Sequence, residues 1–354
     1  MYIYNRMIIF RLTWIIALLF IITGCSSVGL SPPKKIPLAA SKKEQQLLLL
    51  GEQYFKQGQF QTALQKVQQA HALNPDNEEA LYAIARCYLS LKKYSQSLAY
   101  SRQAASYRSE HLPDIYLLMG RTYQQLDEPW DALRTFRYAA SQYPKNYKLQ
   151  YALGETYVYL DKAEFASDAF KAAISAAPDD AASHYQLGVL YYTNHYSTPA
   201  LLSLSVSLLL EPGHARAASI RQNIVNLLAS DLASKNTDEG DFQAVDAALN
   251  RQRVSLLKSE KKYTVFEIIK AQYLILYKEL NTQKIKNQQK TFVIDTYVSF
   301  YNRLNQQGLA ETSVYYLFQN SQDEVINRWL ENNSEKVKRL ETFVKNGNKQ
   351  MNKS

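Results

Sequence analysis

The chain of 354 residues carries 41 lysines and arginines against 32 acids, a formal charge of +9, with 46% hydrophobic residues. Such a balance suits an acidic surface or nucleic acid, yet no glycine-rich phosphate loop is present and no nucleotide site is implied. The histidines, His71, His111, His184, His195 and His214, and the cysteines, Cys25 and Cys87, all precede residue 215, and His184 and His195, eleven residues apart, read as surface residues rather than a metal site. The last third therefore lacks imidazole and thiol for nucleophilic catalysis or soft-metal binding, and no cofactor or metal is expected.

Residues 1–24 contain Arg6 and Arg11 as their only charges, an apolar run from Leu12 to Ile22, and then the small residues Thr23 and Gly24. That is the order of a secretion signal, and the run is shorter than the roughly 20 residues a permanent spanning helix needs. Ile22-Thr23-Gly24-Cys25 resembles the lipobox of bacterial lipoproteins, in which an aliphatic residue and two small ones precede a cysteine that is acylated and becomes the new N-terminus. The resemblance implies lipidation of Cys25, by acyl chains such as palmitate. Ser26 in the next place implies sorting to the outer membrane, facing the periplasm, with the inner membrane as the other anchoring site. Counting from Met7 and tolerating Arg11 keeps a second reading open, an uncleaved N-terminal helix.

Residues 25–43 form the lipidated N-terminus and a tether, since Pro32, Pro33 and Pro37 hold the chain extended without helical periodicity. Its four lysines can meet anionic headgroups at about 1 kcal/mol each. Cys87 has no second thiol to pair with once Cys25 is acylated, and reads as a small apolar side chain.

From Glu44 the sequence repeats itself, in blocks that begin at Glu44, Glu78, Pro113, Tyr147 and Ala181. A period of 34 residues, 35 in the second block, marks stacked supersecondary units. Each block has a small residue at one place, Gly51, Ala85, Gly120, Gly154 and Gly188, and a tyrosine three residues on. Small residues recur again at Ala63, Ser97, Ala132, Ala166 and Ala200, and Pro75, Pro144, Pro178 and Pro212 close four blocks. Leu50, Gly51 and Tyr54 fall on one face of a first helix, and Ala63, Val67 and Ala70 on one face of a second. Small residues let helix axes approach and proline stops the second helix. No block can bury its apolar face alone, so neighbours must stack.

These residues resemble the tetratricopeptide repeat over residues 44–214. The resemblance implies an all-α fold, a right-handed superhelix of helix pairs, with first helices lining a concave side that receives a partner's peptide or helix. The second block departs most, with Ala85, Ser101 and Ser109 for glycine, a large apolar residue and proline, so an irregularity is expected there. Helical spacing aims Tyr82, Arg86, Arg121, Tyr151, Tyr185 and Tyr192 at the concave side, and tyrosine and arginine are residue types that anchor interfaces. The carboxylate clamp of some family members is not recognisable, since Leu48 and Glu52 occupy its places.

Residues 215–234 keep apolar spacing without the glycine and tyrosine, and read as a capping helix. The turn-rich stretch at residues 235–241 suggests a boundary, and residues 235–346 carry apolar residues at three and four spacing for a bundle of four or five helices. Phe292, Tyr297, Phe300, Trp329 and Leu330 are its expected core, and residues 347–354 a disordered tail.

The function expected is a non-enzymatic protein-interaction scaffold on a bacterial membrane, assisting assembly of an envelope complex such as a pilus, a secretion pore or the cell-wall machinery, with no nucleic-acid partner. The alternative is an envelope polysaccharide or cell-wall enzyme, catalytic in its C-terminal helices, for which Asp295, Glu267 and Glu311 are the available acids.

Overall fold

A computed structural model describes residues 30–234, 239–319 and 321–347. The signal, the proposed lipidation site Cys25 and the expected tail from residue 348 onward lie outside the described residues. Five helix pairs follow in order: α1 (Lys42–Lys56) with α2 (Phe60–Leu73), α3 (Glu78–Ser90) with α4 (Tyr94–Ala104), and α5 (Leu112–Gln125) with α6 (Pro129–Gln142). Next come α7 (Tyr147–Tyr159) with α8 (Ala163–Ala176), and α9 (Ala181–Thr193) with α10 (Ser197–Leu210). Among the described residues no helix is long and apolar enough to cross a membrane.

Local signals set the helix ends. Pro75, Pro144 and Pro178 stop second helices, and two residues later Asn77, Asn146 and Asp180 accept amides at the starts of α3, α7 and α9. Ser41 and Glu44 close a capping box at α1. Every turn within a pair passes through the left-handed region at one shared place, Gly58, Lys92, Asp127, Asp161 and His195, with φ from 56° to 75°. Only the first of the five is the glycine that such a turn favours.

Packing at the ends of the stack is less regular than its period. Leu50 is 41% exposed, whereas the equivalent Ile84, Met119, Leu153 and Leu187 are buried. The expected buried face of the first helix is therefore corrected: among the described residues no helix pair covers that position of α1, and Leu48 and Gly51 carry its burial instead.

The tether is corrected in part too. The backbone N–H groups of Lys34 and Lys35 both donate to the Ser106 carbonyl, at 3.1 and 3.0 Å, and that of Arg108 donates to the Lys35 carbonyl at 2.8 Å. This short parallel bridge straps residues 33–35 onto the link between the second and third pairs, and Leu30 packs against the core beneath.

The C-terminal helices begin with α11 (Ala217–Ala229), α12 (Gln243–Leu257), α13 (Val265–Leu280) and the short α14 (Gln283–Lys286). A π-helical turn, Val293–Val298, runs on as α15 (Ser299–Gln306), before α16 (Ala310–Leu317), α17 (Glu324–Asn332) and α18 (Ser334–Gly347). They do not build a core of their own. One apolar cluster joins Phe170, Leu187 and Leu204 of the stack to Tyr273, Tyr297, Phe300 and Leu340, so packing is unbroken past the expected boundary. The reason lies in α10, apolar on all sides and without a charge. Such a helix must be covered all round, and Ser197 through Leu209 are all buried. Its serines cap themselves, Ser203 and Ser205 donating to Pro199 and Leu201 carbonyls at 2.6 and 2.7 Å. The cap is likewise covered, since α13 packs on α11. Of the expected core residues, Tyr297 and Phe300 are fully buried, and Phe292, Trp329 and Leu330 lie partly buried against them.

Candidate partner-binding groove

Successive first helices touch one another, α1 with α3, α3 with α5 and α5 with α7, and so form the inner curve of the stack. A recess of about 460 Å³ opens over the first two pairs and the start of the third. Leu48, Glu52, Phe55, Tyr82, Arg86 and His111 line it. The 34-residue period places Arg86 next to Glu52, and its Nη1 donates to Glu52 Oε2 at 2.9 Å. The same guanidinium lies 4.3 Å from the Phe55 ring centre and 5.6 Å from that of Tyr82. Tyr82 in turn stacks on His111 at 6.3 Å. Burial chiefly raises the Tyr82 phenol above its ordinary range, with Arg86 opposing, so the ring stays neutral.

Cys87 also borders this recess. Burial pushes its thiol up to about 11, which keeps it protonated and unreactive at neutral pH.

The remaining expected residues fall into separate places. Arg121 is exposed on α5 and has no ion-pair partner among the described residues. Tyr151 and Tyr185 share one neighbour, Arg216, at the far end of the curve. The Tyr151 hydroxyl accepts from Gln186 Nε2 at 3.3 Å, and the Arg216 guanidinium sits 5.3 Å from the Tyr185 ring centre. Burial is again the main cause that raises the Tyr151 phenol. Tyr192 is half-buried against the core. Spacing within the repeats leaves out Glu52, Phe55, His111 and Arg216. The first two were legible, being one period before Arg86 and Leu89; His111 and Arg216 sit in links that no period governs.

His184 is a correction, because its expected place is the surface and it is fully buried. Its Nε2 faces the Pro178 carbonyl at 3.0 Å, which can only accept, so Nδ1 is the acceptor for the Tyr297 hydroxyl at 2.9 Å. Desolvation, the largest cause, lowers its pKa to about 4. His195 is the left-handed turn residue between α9 and α10. Among the described residues no group of three or more His, Cys, Asp or Glu could hold a metal. Glu267 closes the capping box of α13 with Thr264, and Glu311 faces Lys270 at 3.5 Å.

Residues 37–104 match a family model described as anaphase-promoting complex, cyclosome, subunit 3, and residues 151–194 match one described as tetratricopeptide repeat. No curated protein matches the sequence. The chain is similar to the structure of Pseudomonas aeruginosa pilF, at 17% identity and a TM-score of 0.44, covering 53% of this chain and 90% of that one. It is similar to TTC0263, a thermophilic TPR protein in Thermus thermophilus, at 23% identity and 0.42, over 53% and 100% of the two chains. PilW, described as a widely conserved type IV pilus biogenesis factor, has 20% identity and 0.42, over 54% and 92%. With its repeating pairs, shared turn geometry and matching repeat model, this chain is a tetratricopeptide repeat protein.

Proposed function

We propose that the protein is a non-enzymatic scaffold of a bacterial envelope, lipidated at Cys25, held on the outer membrane and facing the periplasm. Its inner curve holds an extended peptide or a helix of a protein partner in an envelope assembly. One observation carries this reading: Arg86 is fixed between Glu52, Phe55 and Tyr82 at the mouth of an open recess. A cation already ordered by an ion pair and two rings loses little side-chain freedom when a partner arrives, and the rings offer apolar area beside it. The recess among the C-terminal helices, by contrast, is lined by Arg303, Gln306, Lys338, Arg339 and Phe343 and no carboxylate.

Two experiments test the two halves of the proposal. A photo-cross-linking residue in place of Tyr82, Tyr151 or Tyr185 in cells should capture one protein, with capture reduced by Arg86→Ala; self-contacts alone would refute the groove. Labelling with a clickable fatty acid should mark the wild type and not Cys25→Ala; label on both would refute the anchor.

A further inference from the structure

The extra residue of the second block builds the link on which the N-terminal strap lies. In place of the Pro-x-Asn or Pro-x-Asp turn of the first, third and fourth blocks, Tyr107 pairs with Lys35 in a parallel bridge, flanked by the Ser106 carbonyl and the Arg108 amide. The strap is fastened by side chains as well: Arg108 Nε donates to the Pro33 carbonyl at 3.4 Å, and Lys35 Nζ stands 5.1 Å from the Tyr107 ring centre. The Tyr107 ring is itself buried, with its hydroxyl on Asp76 at 2.5 Å. The chain thus leaves the body at the edge where second helices hand over to first helices. From Pro33 back to Cys25 is a reach of about 26–29 Å, against about twice that if the chain were free up to Ser41.

That edge has an unusual surface. Lys34, Lys35, Lys42, Lys43 and Arg108 are all exposed, and none forms an ion pair among the described residues. Between them Ile36 is 76% exposed, the most of any large apolar side chain among the described residues, and Leu38 is 61% exposed. The nearest acids are partly engaged within the fold: Asp76 by Tyr107, Glu78 by the Ser109 hydroxyl, and Glu44 by Ser41 and Asn77. Glu79 and Glu110 remain open.

We propose that this edge is the membrane-facing side of the protein, docked by the strap onto an anionic lipid surface, with the lysines at the phosphates and Ile36 and Leu38 in the headgroup layer. The inner curve then opens sideways, parallel to the membrane. The proposal rests on the anchoring at Cys25, and the test separates the two.

The full chain is reconstituted in vesicles of phosphatidylglycerol with phosphatidylethanolamine and, separately, of phosphatidylcholine, and amide exchange is followed on both. Lys34, Lys35 and Arg108 are expected to exchange at least about tenfold slower than unprotected amides on either vesicle. Ile36 and residues 38–40 are expected to slow further on the anionic vesicle alone, and 1 M salt should abolish that difference. Replacing Lys34, Lys35, Lys42 and Lys43 by Gln should remove the lipid-dependent part and leave the strap's protection, which is carried by backbone bonds. Unprotected Lys34 and Lys35 would overturn the strap, and equal exchange on both vesicles would overturn the lipid-facing edge. Flotation with phosphatidylcholine reports the anchor alone: a chain that fails to float there disproves the anchor, while binding to anionic vesicles still decides the edge.

Discussion

In four of the five pairs a glycine on the first helix faces a large side chain on the second: Gly51 and Val67, Gly120 and Phe136, Gly154 and Phe170, Gly188 and Leu204. The equivalent residues of the second pair are Ala85 and Ser101, both fully buried. Two departures from the repeat thus form one exchange, a methyl added where a large side chain is removed. Gly154→Ala tests this directly. A Cβ built there lies 2.5 Å from Phe170 Cε1, and that ring is fully buried with no room to retreat. Overpacking of this kind costs about 1–3 kcal/mol, and the gain in helix propensity returns about 1. With the contact this close the net loss should be about 2 kcal/mol. Phe170→Ser alone leaves a cavity and should lose about 3–5 kcal/mol. The double variant recreates the pairing of Ala85 with Ser101, whose hydroxyl is satisfied by the Leu98 carbonyl at 3.1 Å. It should be more stable than the sum of the singles by at least about 1 kcal/mol, read from urea unfolding followed by circular dichroism. A neutral Gly154→Ala, or strictly additive singles, would refute the exchange.

His184 is neutral and buried, with a folded pKa of about 4 against an ordinary 6.5. The unfolded chain therefore binds more protons between these values, and stability should be complete above pH 6.5 and fall by up to about 3 kcal/mol as pH drops toward 4; urea midpoints across that window, flattened in a His184→Gln variant, check it. Asn146→Ala removes the acceptor for the Leu149 amide and should cost about 0.5–2 kcal/mol, seen as faster amide exchange at the start of α7. Lys92→Gly relieves a left-handed residue and should leave stability unchanged or raise it by at most about 1 kcal/mol, whereas Gly58→Val should lower it by about 1–2, both measured as shifts in the urea midpoint.

The repeat period gave access to the inner curve because the same interval that sets helix pairs also sets which side chains share a face. Tyr82 and Arg86 lie in the recess for that reason, and Tyr151 and Tyr185 both pack against the core farther along the curve. What the period hides is whatever depends on neighbours outside it. Leu50 fits the buried pattern yet is exposed, because no helix pair among the described residues covers that side of α1. The strap on Ser106–Arg108 joins residues some seventy positions apart through backbone groups, and side-chain patterning carries no trace of it. His184 looked superficial only because its partner, Tyr297, lies 113 residues downstream. One signal was present and specific: STPALLSLSVSLLL has no polar face to turn to water, so a cover for α10 follows from the sequence, even though the identity of that cover does not.

That cover gives the two ends of the inner curve different mechanics. Around α10, Ser205 meets the Tyr273 hydroxyl at 2.5 Å, the Tyr301 hydroxyl donates to the Leu202 carbonyl, and Tyr277 meets Ser313 at 2.6 Å. Rings buried on all sides with their hydroxyls satisfied allow few alternative packings, so the last pairs, and with them Tyr151 and Tyr185, are held to one curvature. The first pair rests on a much smaller cluster around Leu64, Val67 and Ile84, shared with the second pair alone. Repeat stacks bend through the interfaces between neighbouring pairs, and the interfaces with least buried area bend most easily. The recess around Arg86 therefore belongs to the deformable end and the tyrosine pair to the stiff one. On the proposed reading, a partner that spans both ends settles first against the fixed tyrosines and draws the Arg86 end around itself.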